Sequence, residues 1–212
     1  QHLLDRSPME LLEPPANGKS RERVLSTDEL KAVYKTARKG TTPFHTLVTL
    51  LILTGQRKGE ISRLERKFIG EDRITLPAEI TKNGRVHSLP IGKLTQAVLA
   101  QLPKAGYLFP SARAHVNGKP STTMTGFSER KRDFDKECGV TNYTIHDIRR
   151  TFATNLAALG TPIHVTEKIL NHVSGVGGGL VSVYQRHEFW PEQVAAIEKW
   201  EAKLTTLLNT SP

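Results

Sequence analysis

Three segments of the chain carry side chains suited to chemistry on a phosphodiester. The segment TGQRKGEI contains Arg57, and TIHDIRRTFA contains His146 and Arg149, whose spacing of three places them on one face of a helix start. The segment LNHVSGVGGGLVSVYQRH contains His172 and Tyr184. A guanidinium donates two parallel hydrogen bonds to two phosphate oxygens and keeps its charge. Two arginines can therefore stabilise the charge that builds up when a phosphate is attacked, which predicts a phosphoryl-transfer site.

Tyr184 is the candidate nucleophile of this site. A free tyrosine has a pKa of ~10 and is only about 0.1% ionised at pH 7, so it needs neighbouring cations and a proton acceptor. His146 can be that acceptor, and Lys82 can give a proton to the leaving alkoxide. No carboxylate cluster suited to Mg²⁺ accompanies these residues in the sequence. The predicted mechanism therefore needs neither a metal ion nor another cofactor.

Four sequence boxes resemble, in their order along the chain, the signature boxes of the tyrosine recombinases. They are TGQRKGEI, TKNGR, HDIRRTFA and LNH…VYQRH, and the resemblance covers about residues 24 to 207. It is closest to phage and genomic-island integrases. The resemblance implies a site-specific recombinase that cleaves and rejoins DNA through a covalent 3′-phosphotyrosine and so integrates or excises a phage or mobile element.

The resemblance also implies a role for each candidate residue. Arg57 and Arg149 would clamp the scissile phosphate, His172 would donate a hydrogen bond to it, and Glu60 would hold the Arg57 region. Tyr184 would attack the phosphate, His146 would assist proton transfer, and Lys82 would protonate the 5′-hydroxyl. Further DNA contacts are expected from Arg85 and Arg150.

Tyr184 follows His172 by twelve positions, whereas the family pattern leads us to expect nine or ten. The additional residues are glycines, at positions 175 and 177–179. We expect them to form a hinge that keeps the nucleophile away from the phosphate until DNA and a neighbouring protomer bring it in. Residues 174–183 are therefore expected to be poorly ordered or displaced in the absence of DNA. The other departure, Ile148 in place of the usual leucine, has no expected consequence.

The order of predicted elements indicates one α+β domain that is mostly helical and has a small antiparallel sheet. Asn83-Gly84 between the strand-like runs RITLPAEI and RVHSLP predicts a tight type I′ hairpin, with Lys82 beside the turn. The apolar run LVTLLILTG is expected to be a buried helix. Capping signals and apolar periodicity predict helices near 26–38, 43–55, 58–64, 92–102, 121–137, 146–158, 162–171 and 191–207.

Composition restricts the class of partner and the setting. The net charge of +9 over 212 residues favours a polyanion, with nucleic acid first. A single cysteine, Cys138, excludes an internal disulfide and a cysteine-rich zinc site, and it favours a reducing, intracellular setting. No run in the sequence reaches the ~20 apolar residues of a membrane span. We expect a cytoplasmic protein of a bacterial host cell that makes no membrane contact.

The resemblance implies a domain organisation and a set of partners. Residues 1–23 are expected to be the remnant of an interdomain linker, and residues 24–212 the catalytic domain, without the N-terminal core-binding and arm-binding domains. Double-stranded DNA attachment sites are the expected substrate. The full-length protein is expected to form a tetramer on DNA, with accessory host or excision factors, whereas the isolated domain is expected to be monomeric.

Several simpler interpretations stay open at this point. Arg57 can be a surface arginine paired with Glu60, and Lys82 can protect a hairpin edge while Arg85 contacts DNA. The final predicted helix, 191–207, can pack on its own core or dock on a neighbouring protomer. The alternative functions are a non-catalytic DNA-binding protein on the same fold and a type IB topoisomerase.

Overall fold

The computed structural model describes residues 21–111, 122–172 and 187–209, together with the backbone of two short strands between residues 115 and 120. The strands are β1 (Arg73–Leu76), β2 (His87–Pro90), β3 (His115–Val116) and β4 (Lys119–Pro120), which form two antiparallel pairs. The described α-helices are α1 (Thr27–Lys39), α2 (Pro43–Thr54), α3 (Lys58–Ser62), α4 (Lys93–Ala100), α5 (Phe127–Cys138), α6 (Ile145–Ala158), α7 (Ile163–Ile169) and α8 (Trp190–Asn209). Two short 3-10 helices lie at Arg66–Phe68 and Ala78–Ile80. The predicted fold class, mostly helical with a small antiparallel sheet, is confirmed.

Local signals set the ends of the first helices as predicted. The Ser26 hydroxyl accepts from the Glu29 amide at 3.2 Å, and the Glu29 carboxylate accepts from the Ser26 amide at 2.8 Å, which is the expected capping box of α1. Helix α2 ends at Gly55, whose φ of +66° is the left-handed conformation that favours glycine. The helix predicted from residue 121 begins only at Phe127, because Gly126 adopts a φ of +73° before it.

The predicted type I′ turn at Asn83-Gly84 is wrong. Strand pairing stops at Leu76 opposite His87, so a ten-residue loop (77–86) joins β1 to β2. Gly84 has a φ of +66°, but Asn83 does not adopt positive φ, and a type I′ turn requires it at both positions. The loop is closed by Thr81, whose hydroxyl accepts from the Arg85 amide at 3.1 Å and donates to the Arg85 carbonyl at 2.8 Å. Lys82 therefore lies on a broad loop and not beside a two-residue turn.

Helix α2 lies at the centre of the hydrophobic core. Its sequence PFHTLVTLLILT is apolar on nearly every face, and all but two of its residues are buried, as expected for a helix surrounded by other elements. It contacts α1, α4, α6 and α8. This confirms the prediction of a buried helix, and the described part of the chain contains no helix both long and apolar enough to cross a membrane.

Helix α8 packs on the core of its own chain. The Trp200 indole is fully buried, donates to the Ile52 carbonyl at 2.9 Å and meets the Phe152 ring edge-on at 5.6 Å between centroids. The buried Glu201 carboxylate accepts from the Thr95 amide at 3.0 Å and so caps the start of α4. Of the two interpretations left open by the sequence, these contacts support packing in cis.

Replacing Trp200 with alanine is expected to lower the free energy of unfolding by about 3–5 kcal/mol, because it removes a large buried ring and leaves a cavity. Urea unfolding followed by circular dichroism measures the change. Trp190→Ala is the matched control, since Trp190 is only half-buried and is covered on one side by the Arg73 guanidinium. An equal loss of stability in the two variants would contradict the placement of α8 in the core.

Candidate active site

A cleft of about 910 Å³ opens where α3, the 77–86 loop, α5 and the start of α6 meet. Four of the predicted site residues line it, and they come from three separate sequence boxes: Arg57, Lys82, His146 and Arg149. The fold thus brings together residues that are as much as 92 positions apart in the chain, from Arg57 to Arg149. Their convergence makes this cleft the candidate site.

Arg149 is a buried cation at the base of the cleft. Its side chain extends from α6 and donates to the carbonyls of Gly55 at 3.0 Å and Leu170 at 2.5 Å, and the residue is only 6% exposed. Within the described ranges no carboxylate forms an ion pair with it. Burial, and then the positive charge of Arg57, lower the pKa of Arg149 to about 10, so the group remains protonated at neutral pH. A buried guanidinium held only by neutral carbonyls is an unbalanced charge.

Glu60 fixes Arg57 and the neighbouring loop. The carboxylate, only 1% exposed, accepts from the Arg57 guanidinium at 3.0 Å, from the Arg57 amide at 3.0 Å and from the Lys82 amide at 3.4 Å. Arg57 therefore forms the ion pair with Glu60 that the surface interpretation expected, but the Glu60 carboxylate is buried at the site and not exposed on the surface. Glu60 is bonded to Arg57 and not to Arg149, so the two neighbouring guanidinium groups leave the described site with an excess of positive charge.

A reciprocal amide pair joins the Lys82 loop to the segment that contains His172. Asn83 Nδ2 donates to Asn171 Oδ1 at 2.7 Å, and Asn171 Nδ2 donates back to Asn83 Oδ1 at 3.1 Å. Asn171 takes a φ of +49°, which turns the chain after α7. Sequence reasoning missed this pair, since Asn83 was interpreted as a turn residue. Both asparagines lie inside the sequence boxes, but nothing local indicates that they meet across 88 residues.

His172 follows this pair but does not line the cleft. Its side chain is exposed, and Nδ1 lies 4.0 Å from a carboxylate oxygen of Glu167. His172 thus directly follows Asn171, which contacts the loop of Lys82, but its ring does not lie in the cleft with Arg57 and Arg149.

The carboxyl end of α7 is fixed to the base of the site. The Ile169 carbonyl accepts from the side-chain Nε2 of Gln56 at 2.8 Å and from His87 Nε2 at 3.0 Å. Burial lowers the pKa of His87 to about 4, so its ring is neutral at neutral pH and Nε2 carries the proton that it donates. Together with Arg149 on Leu170, these bonds satisfy carbonyls that a helix end leaves free.

His146 stands in the first turn of α6, at the rim of the cleft. Partial burial lowers the pKa of His146, and the positive charges of Arg150 and Arg149 lower it further. The imidazole is therefore neutral at neutral pH. In that state it can accept a proton, as the sequence predicted for this residue.

Arg150→Gln is expected to raise the pKa of His146 towards its ordinary value of 6.5, because the variant removes the largest charge contribution and keeps the carboxylate of Asp147. An NMR titration of the His146 ring measures the midpoint. Arg38→Gln removes the same charge at an exposed position of α1 that does not line the cleft, and it is expected to leave the midpoint unchanged. A midpoint that is unaltered in Arg150→Gln would contradict this electrostatic assignment.

Tyr184 and the predicted hinge at 174–183 lie outside the described residues.

Tyr143 is the tyrosine that the structure places in the cleft, where it is buried. Burial raises the pKa of Tyr143 well above its ordinary value, so its phenolate is hard to form. The Lys131 ammonium lies 3.5 Å from the Tyr143 ring centroid and donates to Asp135 Oδ1 at 2.7 Å. Tyr143 thus packs as part of the wall and is poorly suited to be a nucleophile.

Further cations line the cleft that sequence reasoning missed. They are Lys58 beside Arg57 and, on α5, Lys131, Arg132 and Lys136. The α5 sequence FSERKRDFDKEC mixes both signs of charge and has the pattern of an ordinary solvated helix, so no local signal distinguished its basic residues.

Of the two predicted DNA contacts, Arg85 is exposed on the 77–86 loop, and Arg150 is half-buried at 2.6 Å from Asp147. Neither lines the cleft.

The described side chains do not suggest a metal centre. In the ranges given above, no group of three or more histidine, cysteine, aspartate or glutamate residues is placed to hold a metal ion. The cleft instead presents basic side chains around a buried guanidinium, an arrangement suited to binding an anion.

Comparison with known proteins places this site in a family context. The model of the Phage integrase family matches residues 23–188. Tyrosine recombinase XerA of Pyrococcus horikoshii is 25% identical over 173 residues, which cover 79% of this chain and 59% of the relative. Prophage integrase IntZ of Escherichia coli is 27% identical over 191 residues, covering 87% of this chain and 45% of the relative. The chain thus spans only about half of the length of these curated relatives.

Solved structures share the fold at low sequence identity. The integrase from mycobacterium phage Brujita has a TM-score of 0.63 at 17% identity and covers 95% of this chain and 68% of its own. A XerA recombinase has a TM-score of 0.58 at 21% identity, and the match covers 98% of this chain and 70% of the recombinase chain. A lambda integrase dimer bound to a COC′ core site has a TM-score of 0.58 at 20% identity, and the match covers 81% of this chain and 51% of the integrase chain.

Proposed function

Because the chain belongs to the phage integrase family, we propose that residues 24–212 form the catalytic domain of a site-specific DNA recombinase. The enzyme cleaves and rejoins double-stranded DNA at an attachment site through a covalent 3′-phosphotyrosine on Tyr184, and it thereby integrates or excises a phage or other mobile element. Similarity to recombinases named XerA, XerC and XerD and to an integrase supports this proposal. So do structures of the same fold that are described as bound to DNA substrates.

The observation that carries the proposal is the unbalanced charge of Arg149. Leaving a charge buried without an ionic partner costs several kcal/mol, on the order of the effects measured when one member of a buried pair is removed. A structural arginine would be expected to have a carboxylate beside it, and the carboxylate present, Glu60, is bonded to Arg57. A phosphate bound between Arg57 and Arg149 would supply the missing negative charge.

The mechanism follows from the positions of the charged groups. Arg57 and Arg149 bind the non-bridging oxygens of the scissile phosphate, and their charge stabilises the transition state more than the ground state. The Tyr184 oxygen attacks phosphorus while the bond to the 5′ oxygen breaks. Neutral His146 takes the phenolic proton, and Lys82 gives a proton to the departing 5′ oxygen. Because the phosphotyrosine conserves the energy of the phosphodiester, the 5′-hydroxyl of another strand reverses the step and joins the two strands.

Oligomerisation follows from this chemistry. Each chain supplies one Tyr184, and exchange between two duplexes breaks four strands, so four chains of the full-length protein act together on DNA. The net charge of +9 and the basic walls of the cleft favour DNA binding that weakens steeply as salt concentration rises. We place this reaction in the bacterial cytoplasm, where the chromosome is accessible, with accessory host or excision factors acting on the full-length protein.

A nicked attachment-site duplex tests the proposal against its alternatives. Cleavage beside the nick releases a short fragment that diffuses away, so the covalent protein–DNA adduct accumulates and is visible on a denaturing gel. A non-catalytic DNA-binding protein would give no adduct. A type IB topoisomerase would relax a supercoiled plasmid that lacks the site, and relaxation of such a plasmid would overturn the assignment as a site-specific recombinase.

A further inference from the structure

A fully buried carboxylate fixes the first turn of α6. Asp147 is 0% exposed, and its Oδ2 accepts from the Thr144 amide at 2.8 Å, from the Thr144 hydroxyl at 2.9 Å and from Arg21 Nε at 2.9 Å. Its Oδ1 accepts from Arg150 at 2.6 Å. Burial alone would raise the pKa of Asp147, but the bonds from Thr144, Arg150 and Arg21 outweigh it and hold the pKa below its ordinary value. The group is therefore a carboxylate at neutral pH.

Asp147 lies between two residues of the proposed reaction. His146 precedes it and Arg149 follows it by two positions, all in the first turn and a half of α6. Asp147 accepts hydrogen bonds from Thr144, which caps α6, and from Arg150, which lies in α6, and these local bonds stabilise the start of the helix. The bond from Arg21 is different, because it comes from 126 residues earlier in the chain.

Arg21 also holds the loop that leads into α6. Its Nη2 donates to the Asn142 carbonyl at 2.6 Å and to Asn142 Oδ1 at 3.1 Å, where Asn142 takes a φ of +54°. Four residues later, the Leu25 amide donates to the Thr151 hydroxyl at 2.9 Å, one helical turn beyond Asp147. Residues 21–25 therefore run along α6 and contact it at both ends of one turn. A guanidinium that bridges two separate acceptors fixes their relative positions better than an ammonium can.

We infer that Arg21 is a positioning residue, through which the segment preceding α1 sets the alignment of His146 and Arg149 on the scissile phosphate. This inference rests on the proposed function. When Arg21 leaves Asp147, Arg150 is the basic partner that remains in the described structure. Asn142 then keeps the bond that Arg23 Nε donates to its carbonyl at 3.3 Å, but it loses the link through Arg21 to Asp147. Displacement of catalytic groups by ~1 Å can slow a reaction by about 100-fold, so a contact outside the cleft can control the rate.

The test compares Arg21→Gln with Arg21→Lys and with Arg38→Gln, which removes the same charge at the exposed end of α1. The readout is the rate of adduct formation on the nicked duplex at saturating DNA, together with DNA affinity and melting temperature. Arg21→Gln is expected to react about 10-fold more slowly than Arg38→Gln, by the same displacement argument, with the same DNA affinity. Arg21→Lys is expected to recover part of the rate of adduct formation, because it keeps a positive charge beside Asp147 but cannot also bridge to Asn142.

Two outcomes would overturn the inference while the proposed function stands. One is that Arg21→Gln reacts as fast as Arg38→Gln. The other is that rate, DNA affinity and melting temperature fall together and Arg21→Lys restores none of them, which is the behaviour of a residue needed only for folding. If the wild-type chain and Arg38→Gln form no adduct at all, the proposed function itself fails and the inference fails with it.

Discussion

Replacing Arg149 with alanine is expected to slow covalent adduct formation by ~10²–10³-fold, the effect of removing one preorganised donor to a transition-state oxyanion. Arg149 is the buried member of the proposed phosphate clamp, and no ion pair within the described residues balances its charge. Single-turnover reaction with the nicked duplex at saturating DNA measures the rate. Arg149→Lys keeps a charge but loses the planar fork, so its rate is expected to lie between those of alanine and wild type.

The variant also removes hydrogen bonds to the carbonyls of Gly55 and Leu170, so a structural effect has to be separated from a catalytic one. Arg66→Ala is the matched control. Arg66 likewise donates to backbone carbonyls, those of Leu99, Leu102 and Pro103, and it does not line the cleft. Arg66→Ala is expected to lose stability but to form the adduct at nearly the wild-type rate below its melting temperature. Equal rates in the two alanine variants would show that Arg149 is structural.

Replacing Tyr184 with phenylalanine is expected to abolish the adduct, because no oxygen remains to form the bond to phosphorus. DNA binding is expected to persist, since the cations of the cleft are unchanged. A gel shift measures binding and a denaturing gel measures the adduct on the same nicked duplex. Undiminished adduct in this variant would assign the nucleophile elsewhere.

Tyr143→Phe makes the same chemical change within the cleft. The buried Tyr143 has a raised pKa and its ring lies under the Lys131 ammonium, so it is a poor nucleophile. This variant is expected to retain the adduct. The pair of variants therefore distinguishes the tyrosine that the sequence boxes indicate from the one that the cleft contains.

The sequence predicted the residues of the site better than their surroundings. Arg57, Lys82, His146 and Arg149 could be identified because each lies in a short box whose residue types and spacing suit one reaction, and the structure brings them to one cleft. The capping box of α1 and the buried character of α2 could also be predicted, since both depend on neighbouring residues or on overall apolarity.

Features that depend on contacts between distant residues could not be predicted in this way. Asn83-Gly84 favours a tight turn locally, but Asn83 instead pairs with Asn171, and Thr81 closes a wider loop. The basic residues of α5 have the pattern of a solvated helix, and their position on the cleft wall follows only from the packing of α5. Arg21 lies in a stretch whose composition indicates a linker, yet it contacts Asp147, which is 126 residues away.

The nucleophile can be identified directly from the amino acid that carries DNA after reaction with a nicked attachment-site duplex. The adduct is trimmed with nuclease and protease, and mass spectrometry locates the residual nucleotide on a peptide. The proposed mechanism predicts a 3′-linked nucleotide on Tyr184, formed in a solution containing a metal chelator. A nucleotide on Tyr143, or the absence of any covalent adduct from protein that binds the duplex, would contradict it.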